Sequence, residues 1–546
     1  MASQRARDVD TIIKYINYNY IFAIQQKITF IVTYYNHYNI KIICCDLIFF
    51  ILPLLQSVIM FNDRVSIPTL IGLFVVMTAL FFVNSANNAI AYTENDPAVK
   101  YSKFQKDDKG NYIKDKDGNL IPAPIDTGDN AWMLAASALV LIMTPGGLAI
   151  FYSGLSRQKN AVNTLHMVFI TTGIIGVQWV LWGYSLAFGP DATGYGFIGT
   201  LDWAGLNNVL HDVPSDVYGG LGGPTIPHQT YMVFQMMFGI ITPALIVAGL
   251  AERMKFSAFV IFIILWATFV YDFAAHWTWS LGSGGTKVGW TGALPSLDFA
   301  GGTVIHITSG WSGLIIALML GRRLGYGKIP MEPHNISLIV LGAALLWFGW
   351  FGFNAGSAGA ARSNATSAFV ATQVATAMAA VTWALVSWAH TGRPSTVGAA
   401  SGAVAGLVAI TPASGYVSPM SAIIIGIAAS VFCYGAVMFK NKRKWDDALD
   451  TWAVHGIGGL VGALLTGVFA EKRFTPIADG LAFGNPQQLL NNAIGAFAAM
   501  AWAVGITAVI VKVMDLVWPG GIRVSPKEEE IGLDLSQHGE RAYVTE

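Results

Sequence analysis

Apolar residues come in long blocks separated by short polar connectors. Between residues 131 and 513 there are eleven such blocks: 131–152, 165–188, 229–250, 257–280, 298–319, 334–355, 364–389, 396–411, 419–439, 449–471 and 487–513. A helix crossing hydrocarbon needs about 20 apolar residues. The pattern therefore predicts an all-α polytopic membrane protein with eleven transmembrane helices. Upstream, Arg64 precedes an apolar run from Val65 to Val83, and Ala89-Ile90-Ala91 reads as an A-x-A cleavage site. That is the layout of a secretory signal peptide opening at Met60; an uncleaved membrane anchor is the alternative. The expected organisation is a non-native or mis-called extension (1–59), a signal peptide (60–91), a short extracytoplasmic segment (92–129), the eleven-helix body (130–513) and a cytoplasmic tail (514–546). KDDKGNY and DKDGNLIP carry turn signals, so a small hairpin is expected within 92–129.

Loop charges give the orientation. Twelve Lys and Arg fall in one set of alternate loops, among them Arg157, Arg253, Arg323 and Lys444. The other set holds four: Lys287, Arg362, Lys472 and Arg473. By the positive-inside rule the N-terminus lies outside and the C-terminus inside, as the signal peptide also requires. Composition agrees. Of 546 residues 54% are hydrophobic and 12% charged, with zero net charge, against roughly 25% charged in soluble domains. An ordinary soluble enzyme and a nucleic-acid partner are both disfavoured. Three cysteines (Cys44, Cys45, Cys433) suggest neither a disulfide framework nor a metal site. No phosphate-binding loop and no H-E-x-x-H spacing occur. No cofactor and no enzymatic chemistry are expected, and the chain is placed as a multi-pass protein of the plasma membrane.

His306-Ile-Thr-Ser-Gly310-Trp-Ser-Gly313 echoes His455-Gly-Ile-Gly-Gly459-Leu-Val-Gly462 as H-x3-G-x2-G. The two copies lie in the fifth and tenth blocks, as in an inverted five-helix repeat. Ionisable groups inside a membrane are costly and default to functional candidates. If the two helices cross at their glycines, the imidazoles meet near the midplane. They then share one N–H···N bond and keep a donor and an acceptor for a small guest. Two satisfied core histidines are the plainer alternative. Asp298 reads as a helix N-cap, as a source of negative potential below an outer cation site, or both. Asp450 reads as a helix cap or a tie to an inner loop.

AERMKFSAF (251–259), LDFAGGTVIHI (297–307), WFGFNAGSAG (350–359), DTWAVHGIGG (450–459) and GLDLSQHGERAY (532–543) resemble the signatures of the ammonium transporter family, which includes yeast methylammonium permeases and Rhesus proteins. The resemblance runs from about Asp129 to Tyr543. It implies a homotrimer in membrane lipid, each subunit with a narrow hydrophobic pore for ammonium or ammonia, and for methylammonium as an analogue. It implies an outer recruitment site at Trp279, Ser357 and Phe238, with Asp298 as the acidic residue. A phenyl gate falls on Phe238 and Phe353, with Gln235 one turn away, and the pore histidines on His306 and His455. It also implies a regulatory tail, here keeping Gly532, Leu533, Asp534, His538, Gly539 and Tyr543, and a PII-family partner at the cytoplasmic face. Gln537 stands where an acidic residue is usual. Electrogenic transport, electroneutral gas conduction and an ammonium sensor all remain open at this point, whereas a membrane haem protein with axial histidines is disfavoured, because glycine-packed helices give neither space for a macrocycle nor arginines to anchor its propionates.

Overall fold

In the computed structural model the described residues are 92–544, apart from 216–217, 219–224 and 283–285. The expected signal peptide and extension lie outside them. Among the described residues, ten helices are long and apolar enough to cross a membrane: α1 Thr127–Leu155, α2 Gln158–Phe188, α3 His228–Leu250, α4 Phe256–Trp279, α5 Gly302–Leu320, α6 Ile336–Gly356, α7 Ser363–Thr391, α9 Pro419–Arg443, α10 Trp452–Phe469 and α11 Pro486–Val517. The remaining apolar helix, α8 Thr396–Ile410, has 15 residues. At 1.5 Å per residue it spans about 22 Å, short of a hydrocarbon core. Ser395 caps its start by accepting from Gly398 N at 2.9 Å, and Pro412 follows its end. No strand occurs among the described residues, only isolated bridges.

Helices approach closely where side chains are smallest, as expected when van der Waals packing holds helices together in lipid. A Cβ on Gly310 of α5 would stand 2.1 Å from the backbone nitrogen of Gly456 in α10. One on Gly249 of α3 would stand 2.2 Å from the carbonyl oxygen of Gly313. The α5–α10 crossing therefore lies at the first glycine of each copy of the echo, Gly310 against Gly456 and Gly459 against Gly302 and His306. Both helices also open on a six-residue π-helical segment, Gly302–Ile307 and Trp452–Ile457. Each of these segments carries one of the two histidines.

The segment before α1 is more elaborate than one hairpin. Three short extended stretches are joined by two Asp-x-x-Gly-Asn turns. Asp107 accepts the amides of Lys109 and Asn111, and Asp115 those of Asp117 and Asn119. These backbone donors hold both exposed carboxyls below their ordinary range. The stretches close a triangle of backbone bonds: Gln105 donates to Ile121, Ile121 to Ile113 and Ile113 to Gln105. Tyr92 and Ser215 then tie this unit to the α2–α3 loop, through Asp212 and the Tyr101 carbonyl.

Candidate functional site

Five of the expected residues form one continuous row of rings. Trp279, the last residue of α4, meets Phe238 of α3 edge-on at 6.0 Å. Phe238 stacks on Phe353 of α6 at 4.3 Å. Phe353 lies 6.2 Å from His306, and His306 lies 5.2 Å from His455. Phe353 and Phe238 are 0% and 1% exposed, and their stacking closes the row at that point.

The two imidazoles meet through Nδ1 atoms 3.2 Å apart. One Nδ1 must donate and the other accept. The accepting ring then carries its hydrogen on Nε2, and the donating ring presents a bare Nε2. His306 Nε2 is buried and unpartnered. Beyond His455 lies a cavity of about 40 Å³, lined by Tyr152, Val404, Asp450 and His455 among others, with room for a water-sized guest.

Around the row, Trp279 Nε1 donates to the Asp298 carbonyl at 3.0 Å, tying the end of α4 to the approach to α5. Ser357 donates its hydroxyl hydrogen to the Phe353 carbonyl at 2.9 Å, which leaves its oxygen lone pairs as acceptors. Gln235 donates from Nε2 to the Tyr231 hydroxyl at 3.1 Å, while its Oε1 is buried without a partner.

Asp298 is a cap first. Its carboxylate accepts from the backbone nitrogens of Gly301, Gly302, Thr303 and Val304 at 2.7–3.1 Å. Gly301, at φ +114°, turns the chain so that the carboxylate folds back, and α5 starts at Gly302 rather than at 298. At α10 the capping role expected as one option for Asp450 belongs to Asp447, which accepts from Trp452 N at 2.8 Å. Asp450 ties to a helix end, the last turn of α9, rather than to an inner loop. It sits at φ +61° and pairs with Lys440 at 2.6 Å.

Trp350 was missing from the expected set. It stacks on His306 at 5.4 Å and 20°, and Thr411 holds its Nε1 at 2.8 Å. The signal was available, since Trp350 precedes Phe353 by three residues and so shares its helical face.

The tail residues form a second cluster. The Asn160 side chain accepts from Leu533 N, and Asp534 Oδ1 accepts from Asn163 N, both at 2.8 Å. Burial pushes the Asp534 carboxyl up despite these amides. Gly532 holds φ +102°, and a Cβ there would stand 2.5 Å from the Lys159 carbonyl oxygen. Gly539 turns the chain at φ +71°. The Tyr543 hydroxyl accepts from Asn335 Nδ2 at 3.1 Å. Gln537, the departure from the family pattern, accepts from Phe256 N and donates to Glu528.

Beneath the tail runs a buried ion network. Arg323 grips Asp446 at 2.8 Å and reaches Glu252 at 3.4 Å, and Arg253 lies 3.6 Å from Asp446. Burial alone would raise the Asp446 carboxyl. The two guanidiniums reverse that and hold it below the ordinary range.

A family model described as Ammonium Transporter Family matches residues 131–543. The chain is 44% identical over 416 residues to the ammonium transporter Amt1 of Archaeoglobus fulgidus, covering 76% of this chain and 99% of that protein. It is 47% identical over 424 residues to an ammonium transporter of Aquifex aeolicus, covering 77% and 94%. Among solved structures it is similar to Saccharomyces cerevisiae Mep2, with TM-score 0.69, 36% identity, and 78% and 94% of the two chains covered. It is also similar to a protein described as Sensor Amt Protein, with TM-score 0.68, 28% identity, and 75% and 98% covered.

Proposed function

The chain belongs to the ammonium transporter family, and on that premise we propose that it recruits ammonium at an outer aromatic site, strips its proton and conducts ammonia past the two histidines. It is a multi-pass membrane protein of the plasma membrane and not an enzyme. The observation that carries the mechanism is the row of rings from half-buried Trp279 to buried His455, which ends in two imidazoles joined Nδ1 to Nδ1.

The physics selects the route. Moving an ammonium-sized ion bare into a low-dielectric interior has an idealised cost of order 20 kcal/mol. Removing a proton from an amine of pKa about 9–10 at pH 7 costs roughly 3–4 kcal/mol. Deprotonation is the lower barrier, and it is closed to Na⁺ and K⁺. Trp279, Phe238 and Ser357 hold the cation by ring faces and a hydroxyl oxygen, each ring contributing roughly 0.5–2 kcal/mol. Asp298 contributes negative potential while it caps α5. The stacked Phe238 and Phe353 then part to admit a small guest. Each guest in the dry segment meets one bare imidazole nitrogen and one N–H.

The full reading has eleven spans with α8 counted, an N-terminus outside and a C-terminus inside, and α1–α5 related to α6–α10 as an inverted repeat. It is supported by the paired π-helical openings of α5 and α10. The functional unit is a homotrimer, and a PII-family protein is the partner for the face that carries the tail. Transport is electrogenic, the proton travelling separately from the ammonia.

The test uses the full-length protein in sealed vesicles. Ammonium, but not K⁺, produces an inward current, and His306→Ala lowers it about 100-fold, the scale of a lost proton-transfer group. Ammonia flux without current would replace this with electroneutral gas conduction. The second reading, an ammonium sensor, is favoured by the likeness to the Sensor Amt Protein. It would be supported by tail exposure that responds to ammonium while flux is negligible.

A further inference from the structure

The tail contains an imidazole contact that the transport reading does not use. His538 Nδ1 lies 3.3 Å from Nδ1 of His166 on α2. His538 Nε2 lies 2.9 Å from the Asn163 side-chain oxygen. The two rings are 4.9 Å apart and both pack on Phe256, at 4.7 and 4.8 Å. His166 is partly buried, and so is His538.

The partners fix the hydrogens. Asn163 aims its amide nitrogen at Met167 Sδ, 3.8 Å away, so its oxygen faces His538. His538 must therefore carry its hydrogen on Nε2, which leaves a lone pair on Nδ1. His166 must donate from its own Nδ1 and keeps a lone pair on Nε2. A proton on His166 Nε2 makes the bond charge-assisted. A second must go to His538 Nδ1, which sets two N–H groups and two positive charges face to face at 3.3 Å.

We propose that His166 and His538 form a proton-operated latch, which holds the tail on α2 while at most one ring is charged and releases it when both are. The bonds made by Leu533, Asp534 and Gln537 are within five residues of His538 and would loosen with it.

The other charges around the latch are accounted for. On the tail, Glu540 favours charged His538, and Asp534 is engaged by the backbone nitrogen of Asn163. On α2, Lys159 is turned to the Glu529 and Glu530 carbonyls. Before α4, Lys255 is turned to the carbonyls of Pro519 and Gly521. Burial and then His166 hold docked His538 below its ordinary value of 6.5. Docking is therefore fully present above about 6.5 and is lost as pH falls below it. Asp534 has the opposite sign. Its docked carboxyl is raised, so acid favours docking through Asp534, and acid loosening cannot originate there.

The test follows amide hydrogen exchange of residues 532–540 in the full-length protein in lipid nanodiscs from pH 8 to pH 5, corrected for intrinsic exchange at each pH. Protection holds above about pH 6.5 and falls about tenfold or more by pH 5. His538→Gln keeps a donor for Asn163 and cannot charge, so its protection no longer falls with acid. His166→Gln can place no second charge across the gap, so its acid loosening is reduced. Flat protection in the wild type, or acid loosening that persists in His538→Gln, overturns the latch. If His538→Gln is unprotected at every pH, His166→Gln decides, and an acid loosening as large as the wild type's overturns it. The readout is the tail rather than ammonium flux, so the outcome is independent of the transport reading.

Discussion

Two pairs of histidines make the same contact in two settings. His306 and His455 meet Nδ1 to Nδ1 at 3.2 Å, and His166 and His538 at 3.3 Å. Ring separations are 5.2 and 4.9 Å. The difference lies in what surrounds them. The pore pair sits among Trp350, Phe353 and close-packed glycines, with His306 Nε2 touching no polar group. The tail pair is half-open, and Asn163 fixes its tautomers. Access to water decides which proton chemistry a given imidazole contact performs. A sealed pair presents fixed lone pairs and N–H groups to a neutral guest, and a wetted pair counts protons.

The strongest way to break this comparison is to pull one pair apart while leaving the other alone. Gly310→Ala places a Cβ 2.1 Å from Gly456 N and 2.8 Å from the His455 carbonyl carbon. Both neighbours are backbone, so α5 and α10 must separate. A hydrogen bond at 3.2 Å does not survive a displacement of about 1 Å. Ammonium current is expected to fall about 100-fold or more, while the pH profile of tail exchange stays that of the wild type. Current and exchange measured on one preparation check both halves. Retained current would mean that contact between the two rings is not needed for conduction.

The two pairs were unequally legible in the sequence. The pore pair was visible because its histidines stand in apolar blocks, where an ionisable residue is conspicuous, and because the glycines after each repeat with the same spacing. The helix crossing then followed from the need for close approach. The π-helical openings were not visible, since a π-turn has no composition of its own. Grouping Trp279, Phe238 and Ser357 came only from the family resemblance, because three residues on three helices share no local pattern. Trp350 was overlooked although it shares a face with Phe353. His166 was invisible for a different reason. Its partner is 372 residues away, and a histidine near the polar start of a helix carries no anomaly. The sequence marks eleven apolar blocks, of which 396–411 is the shortest, and α8 stays short because Ser395 and Pro412 bound it.

A milder perturbation should turn the dry pair into something like the wet one. Phe353 is fully buried between Phe238 and His306. Phe353→Ala removes half of the stacked gate and opens a channel for water toward His306. Once hydrated, that imidazole can take up a proton from water. Ammonium current should persist but acquire a pH dependence centred near pH 6–7, with several-fold higher K⁺ leakage. Wild-type current is the control for both. If the variant's current shows no new pH dependence, dryness is not what keeps the pore pair neutral.

The smallest effect sharpens the other side. Asn163→Ala removes the side-chain oxygen that locks the His538 tautomer and spares the backbone nitrogen that Asp534 holds. One hydrogen bond is lost, with a net contribution of roughly 0.5–1.5 kcal/mol. Tail protection at pH 8 should therefore drop about 2- to 12-fold, with ammonium current unchanged. The pH of loosening should hardly move. With either tautomer the doubly charged pair still faces two Nδ1–H groups across the same gap, so charge rather than hydrogen placement sets the release point. A midpoint displaced by more than about half a pH unit would mean that the tautomer lock is the working part, and that the two histidine pairs differ in more than their access to water.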